Sequence, residues 1–331
     1  MKTIAFFNNK GGVGKTTLVY HLASMIAERG ERVLAVDLDP QANLTSMFVS
    51  ESQMESIWDL RDLGPSTIFA ALRPILRGIG DVLVPYVESI NPRLGLLAGD
   101  LELSTFEDKL STAWPNCQLG DEAAFRIMTA FHRAIRQAAA SFDAEWILID
   151  VGPNLGAINR AALIASERVV IPLGPDLFSL QGLRNLGPKL RDWRKVWQEL
   201  LTKNPDPSLD LPSGTIEPLG YVVMQHGMRE NRPPKAYLRW IERFPAAYRE
   251  SVLDEPVVDA VMTAAADPHC LAMLKHYRSL MPMAMEARKP VFALKPADGA
   301  IGAHNEAVRR AYLDFQELAG RIVERSGGTL R

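Results

Sequence analysis

Cysteine is almost absent. Only Cys117 and Cys270 occur among 331 residues, far apart and in no C-x-x-C pair. A disulfide framework is thereby excluded, and two isolated thiols fit a reducing compartment. No apolar run approaches the ~20 residues that a bilayer-crossing helix needs. The opening Met1-Lys2-Thr3-Ile4 enters a strand pattern directly and offers no secretory leader. A charge excess is missing as well. With 37 basic and 39 acidic residues the formal net charge is −2, so any nucleic-acid contact has to come from a local patch. These absences lead to the expectation of a cytoplasmic protein that does not enter membranes. Its 47% hydrophobic and 23% charged residues are ordinary for a globular chain.

What is present is an alternation of short buried strands and amphipathic helices. Residues Thr3–Phe7 read as a strand, Asn8–Lys15 as a Gly-rich turn, Thr16–Arg29 as a helix stopped at Gly30, and Arg32–Asp37 as a second strand. That order opens an α/β unit with a parallel sheet. Further strands are predicted at Asp81–Val87, Arg93–Ala98, Glu145–Asp150, Arg168–Pro172 and Leu219–Met224, with a last one at Pro290–Leu294. Helices are predicted over Asp121–Phe142, Leu180–Leu201 and Ala303–Ser326. The Pro-, Asp- and Ser-rich stretch Thr202–Glu217 reads as a loop. The expected fold is α/β: a mostly parallel, doubly wound sheet with helices on both faces, in one domain over residues 1–331. No internal repeat is visible.

The chemistry concentrates in Lys10-Gly11-Gly12-Val13-Gly14-Lys15-Thr16-Thr17, between the first strand and the first helix. Glycines let the backbone curl so that successive N–H groups face phosphate oxygens, and the positive helix end adds attraction. Lys15 can reach the β- and γ-phosphates, the Thr16 hydroxyl can bind Mg²⁺, and Thr17 sits near the α-phosphate. The ordinary G-x-x-x-x-G-K-[ST] pattern fails, because Asn9 stands where its first glycine belongs. An additional lysine, Lys10, heads the loop instead. Two strands end in acids: Arg32–Asp37 runs into Asp37-Leu38-Asp39-Pro40-Gln41-Ala42-Asn43, and Ile147-Leu148-Ile149 ends at Asp150. At the C-terminal ends of strands beside the loop, such carboxylates stand where ligands bind in open α/β sheets.

These residues resemble the ParA/MinD family of deviant Walker A P-loop ATPases, closest to ParA-type partition ATPases. The resemblance implies ATP and Mg²⁺ as cofactors and an ATP-dependent homodimer in which Lys10 crosses to the partner's phosphates. It implies that Asp39 activates the attacking water, that Asp150 holds Mg²⁺ together with Thr16, and that Val151–Gly156 is a second switch sensing the γ-phosphate. Gly152 stands where the family commonly has proline or a small residue. The likeness continues through Val170–Leu173, Ser179–Leu183, Gly220–Met224 and Ala287–Phe292. It points to Gln225 and Pro296 on the adenine side, and it marks residues near 192–217 and 228–280 as insertions.

The same resemblance implies an ATP hydrolase, weak alone and stimulated by a ParB-like or other partner. Such a protein partitions or positions plasmid or chromosomal DNA, or a large cargo, through non-specific DNA binding on the nucleoid. The last residues, Gly320–Arg331, contain glycines and an acid, and are not expected to form the Lys/Arg-rich amphipathic anchor of MinD-like members. With the loop starting at Lys10, an N-terminal operator-binding domain is not expected. Candidate DNA contacts are Arg184, Lys189, Arg191, Arg194 and Lys195, then Arg229, Arg232, Lys235, Arg239 and Arg243. Trp193, Trp197, Tyr237 and Trp240 are interleaved with them. The alternative is a nucleotide-gated regulator or scaffold that binds a protein partner and not DNA. A metabolic P-loop enzyme is a third reading, without an identifiable substrate pocket.

Overall fold

The computed structural model describes residues 1–226, 235–256 and 262–329. The chain opens with strand β1 (Lys2–Phe6), helix α1 (Lys15–Glu28) and strand β2 (Val33–Asp37). Helices α2 (Asn43–Phe48), α3 (Glu51–Leu60) and α4 (Ile68–Arg77) precede the hairpin β3 (Glu88–Asn91) and β4 (Leu94–Leu97). Helices α5 (Phe106–Cys117), α6 (Glu122–Met128) and α7 (Ala130–Ser141) lead to β5 (Trp146–Asp150). Then come α8 (Ala157–Ile164), β6 (Arg168–Leu173), the long α9 (Leu177–Leu201) and β7 (Glu217–His226). Helices α10 (Lys235–Ile241) and α11 (Phe244–Tyr248), strand β8 (Cys270–Lys275), α12 (Leu280–Ala287) and α13 (Ala303–Arg325) complete it.

Among the described residues the strands form one eight-stranded sheet in the order β3-β4-β2-β5-β1-β6-β7-β8, parallel except for the β3–β4 edge. Period-two alternation distributes its side chains between two cores. Ile4, Phe6, Val33, Ala35, Trp146 and Leu148 face one apolar layer with α1, α12 and α13. Ala5, Phe7, Leu34, Val36, Ile147 and Ile149 face the other, with α4 to α9 and α11. Burial on both faces explains why these strands read as nearly continuous apolar runs. The fold class is the one expected from the sequence.

Three expected elements differ. The stretch 81–87 is not a strand. Leu83 N–H donates to the Ala71 carbonyl and Tyr86 N–H to the Pro65 carbonyl, both 2.9 Å. The nearby β4 has four residues and is already paired on both sides, in parallel with β2 and antiparallel with β3. The helix expected over 121–142 divides at Thr129, whose hydroxyl donates back to the Phe125 carbonyl at 2.8 Å and re-aims the chain. Residues 290–294 are not the last strand: Val291–Ala293 is a single 3₁₀ turn, with the Val291 N–H spent on His21 Nε2 at 3.1 Å. The last strand is β8, inside the stretch 228–280 that matches the family poorly. Its sequence CLAMLK has no β-branched residue to announce it.

Candidate functional site

The glycine loop follows β1 at the sheet centre. Gly12 (φ 72°) and Gly14 (φ 89°) adopt left-handed backbone that other residues enter only with strain. Gly14 caps α1 without a side chain, so the first-turn N–H groups face outward for an anion. Gly11 and Gly12 are exposed. The loop is anchored by Asn8, whose buried amide donates to the Pro172 carbonyl at 2.6 Å and accepts the Lys10 N–H at 3.0 Å. Asn9, where the ordinary motif has glycine, packs against α9. A Cβ on Gly182 would lie 2.6 Å from Asn9 Oδ1, so any larger residue there would have to push the Asn9 side chain aside.

Lys15 is buried, and its amine reaches back to the Lys10 carbonyl at 3.4 Å. Burial lowers its pKa, opposed by the charges of Asp150 and Asp39. Asp150 is fully buried, and among the described residues neither carboxylate oxygen has a hydrogen-bond partner. Burial pushes its pKa well up, Asp37 pushes further, and Thr16 pulls down. Across the sheet Asp37 stands in register with Asp150. A buried, unsatisfied carboxylate next to a threonine hydroxyl is a donor set suited to a hard divalent cation. Thr16 and Asp150 therefore fit Mg²⁺.

The two acids of the β2 loop divide their work. Asp37 is fully buried and accepts the Thr45 N–H (2.8 Å), the Thr45 hydroxyl (2.7 Å) and the Asp39 N–H (3.3 Å). Burial pushes its carboxyl up to about 7 against those bonds. It builds the turn. Among the described residues Asp39 accepts the Gln41 N–H alone, at 3.0 Å from Oδ1. Its carboxylate lies against Gly152, where a Cβ would stand 3.5 Å from Asp39 Oδ1. The structure thus brings Lys15, Thr16, Asp39 and Asp150 together at the C-terminal edge of β1, β2 and β5.

Lys10 is at the mouth, about a third exposed. Its amine contacts Asp176 Oδ2 at 2.5 Å and lies 5.9 Å from the Phe178 ring. Phe178 is 72% exposed, and Leu155 and Leu177 are exposed with it.

The adenine-side expectations fare differently. Gln225 lies on β7, and its side chain is outside the described residues. Pro296 is exposed in a one-turn 3₁₀ helix. The apolar cleft against Thr17 is lined by Met224, Leu274, His276, Tyr277, Met281 and Phe315, without Pro296. The segment after β8 escaped the sequence because β8 itself did. His21 was also missed. It is buried beneath that cleft, with Nε2 accepting from Val291 N–H, so Nδ1 carries the proton and donates to the Thr17 carbonyl at 2.7 Å. It stacks on Phe315, joining α1 to α13.

Of the basic residues on α9, Arg184, Lys189 and Lys195 are exposed. Arg191 is spent on the Ser251 carbonyl and Asp254, and Arg194 on the Ile216 carbonyl. Trp193 and Trp197 are core. Arg239 and Arg243 are exposed and flank Trp240 at 4.5 and 5.8 Å, with Tyr237 exposed nearby in sequence. Arg229, Arg232 and the Lys235 side chain lie outside the described residues. Among the described residues, no helix is long and apolar enough to cross a membrane.

Residues 1–203 match a family model described as an AAA domain. The chain is 30% identical over 188 residues to the chromosome partitioning protein ParA of Caulobacter vibrioides, 56% of this chain and 61% of that protein. It is 33% identical over 184 residues to a putative replication protein A of Rhizobium rhizogenes, 55% of this chain and 42% of that protein. The chain thus spans about half the length of the first curated relatives it matches, 42% and 46%. A Corynebacterium diphtheriae crystal structure superposes with TM-score 0.67 at 27% identity, over 87% of this chain and 97% of that one. The ATP complex of a Cyanothece McdA variant shares the fold, with TM-score 0.63 at 16% identity over 99% and 97%.

Proposed function

The chain belongs to the ParA-type family of P-loop ATPases, and on that premise we propose that it is an ATP-dependent dimerising ATPase that positions DNA or another large cargo. The phosphates of ATP bind Gly11, Gly12, Val13, Gly14 and Thr17 of the loop, with Lys15 on the β- and γ-oxygens. Thr16 and Asp150 would hold Mg²⁺, which when bound neutralises charge on the transferring phosphoryl group. Asp39, with most of its carboxylate uncommitted, orients the attacking water. Lys10 serves the partner subunit's phosphates, so the triphosphate joins two subunits and hydrolysis releases them.

The observation that carries this reading is the contrast between the two lysines. Lys15 is buried inside the cradle, while Lys10 stands at its rim near the exposed Phe178. A cation and an apolar side chain at the rim suit contact with a second copy. Pairing doubles the modest basic surface of Arg184, Lys189, Lys195, Arg239 and Arg243, which raises avidity for duplex DNA without new contacts.

A second reading is favoured by a different observation. Two of the candidate DNA cations, Arg191 and Arg194, are engaged within the chain, whereas Leu60, Leu63, Ile79, Val84 and Tyr86 are exposed around α4. Exposed apolar residues in numbers mark protein partners, as expected of a nucleotide-gated scaffold. Size by light scattering, with and without ATP and Mg²⁺, and with random duplex DNA added, separates the two. The DNA reading expects a dimer in ATP that retains DNA and loses it in ADP or at raised salt. A dimer indifferent to DNA supports the scaffold, and a chain that stays single in ATP overturns both.

A further inference from the structure

The segment after Asp150 carries its exposed tip, Pro153, Asn154 and Leu155, beside the glycine loop. A Cβ on Gly11 would lie 3.9 Å from Pro153 Cγ. Among the described residues no backbone–backbone hydrogen bond closes 152–155. Side chains hold it instead. Asn159, on the first turn of α8 and 1% exposed, points its amide nitrogen at the Gly152 carbonyl (2.8 Å), the Asn154 carbonyl (2.6 Å) and Asn154 Oδ1 (3.0 Å). Asn154 Oδ1 in turn accepts the Gly156 N–H at 2.9 Å. Behind it Glu107 of α5 accepts the Ala157 and Ile158 N–H groups, at 2.5 and 2.8 Å, and fastens the start of α8.

Gly152 is the residue against which the Asp39 carboxylate rests. A single buried NH₂ group therefore sets both the height of the loop tip and the backbone under Asp39. We propose that Asn159 is a positioning residue for ATP hydrolysis, acting through Gly152 on Asp39 and through Asn154 on the loop tip. This rests on the ATPase reading above. The amide suits the task because it donates two hydrogens from one nitrogen. A carboxylate of the same shape presents only acceptors to those carbonyls. Such a donor touches no substrate, so its loss affects the geometry of the hydrolytic step and leaves the phosphate cradle of Gly11–Thr17 intact. Misplacing a reacting group by about 1 Å is enough to slow a reaction roughly hundredfold.

The test compares Asn159→Ala and Asn159→Asp with the unmodified chain, measuring ATP affinity and single-turnover hydrolysis from pH 6 to 9. Both variants are expected to bind ATP within about threefold of the unmodified chain, because their cradle is unchanged. Asn159→Ala is expected to hydrolyse roughly ten- to hundredfold more slowly at every pH. Asn159→Asp is expected to be at least as slow at high pH and to gain on the alanine variant as pH falls, because a protonated carboxyl regains one donor. A residue that merely fills space would show the isosteric aspartate outperforming alanine at all pH, and that result overturns the proposal. So does turnover of Asn159→Ala within twofold of the unmodified chain, or an affinity loss that matches the loss of rate. No ATP binding by the unmodified chain sinks the ATPase reading itself, and this outcome is read before any variant.

Discussion

The Lys10 amine lies 2.5 Å from Asp176 Oδ2 at the start of α9 in its own chain. Asp176 also caps that helix, accepting the Ser179 N–H at 2.9 Å. Both partners are about a third exposed, so the ion pair contributes no more than about 1 kcal/mol to folding. Lys10→Ala should therefore leave the melting temperature nearly unchanged and ATP binding intact while abolishing the ATP-induced dimer. Lys15→Ala, by contrast, should lose nucleotide binding. Light scattering and a titration with a fluorescent ATP analogue check both, and a persistent ATP dimer of Lys10→Ala would remove the role in trans.

Asp39 differs from Asp37 in being nearly free of internal hydrogen bonds. Asp39→Ala is expected to bind ATP and dimerise, with turnover lowered on the order of 10²–10⁴-fold. The readout is the lifetime of the ATP dimer, which should lengthen. Asp37→Ala should instead lower the melting temperature, because it orphans the buried Thr45 N–H and hydroxyl. Wild-type turnover in Asp39→Ala would count against the assignment.

His21 gives the fold a pH dependence. Burial lowers its pKa to about 4 from 6.5, against the opposing bond to Thr17. Between those values the unfolded chain takes up a proton that the folded chain refuses. Stability is thus complete above about pH 6.5 and falls as pH drops toward 4, by up to about 3 kcal/mol. Urea midpoints at pH 7.5 and 4.5 should differ less in His21→Asn than in the unmodified chain. An equal difference in the two would show that other groups carry the acid sensitivity.

Arg239 and Arg243 flank Trp240 on an exposed surface with no acidic partner within ion-pair distance among the described residues. If the ATP dimer holds DNA through them, Arg239→Ala with Arg243→Ala should weaken binding alike for unrelated sequences. The slope of log affinity against log salt should fall by about 2 per subunit. An unchanged slope with intact dimerisation would move the DNA contact elsewhere or favour the protein-partner reading.

Much of the site was legible because its physics is local. Left-handed glycines, a lysine after them and a helix immediately following are sequence-adjacent, so Lys10–Thr17 could be read without knowing the rest. Asp150 was legible because it ends an apolar strand and Asp39 because it follows one by two residues, and parallel strands in one sheet deliver their C-terminal ends to the same edge. Asn159 and His21 were not legible. Asn159 gains meaning only when α8 folds back over Gly152, and His21 only when Val291 arrives from 270 residues away. The fold failed to show itself at β8 and at 81–87 for the same reason. Strand formation there depends on an available neighbour more than on composition.

The sequence alone determined the alternation of buried strands and helices, the phosphate-binding loop and the two strand-end acids, since each follows from spacing within a few residues. Only the tertiary structure decided which of the paired acids builds the turn, where Lys10 rests and what lines the cleft beside Thr17. It also decided which basic side chains are free. Those outcomes depend on burial and on partners that are distant along the chain and meet only when the layers pack.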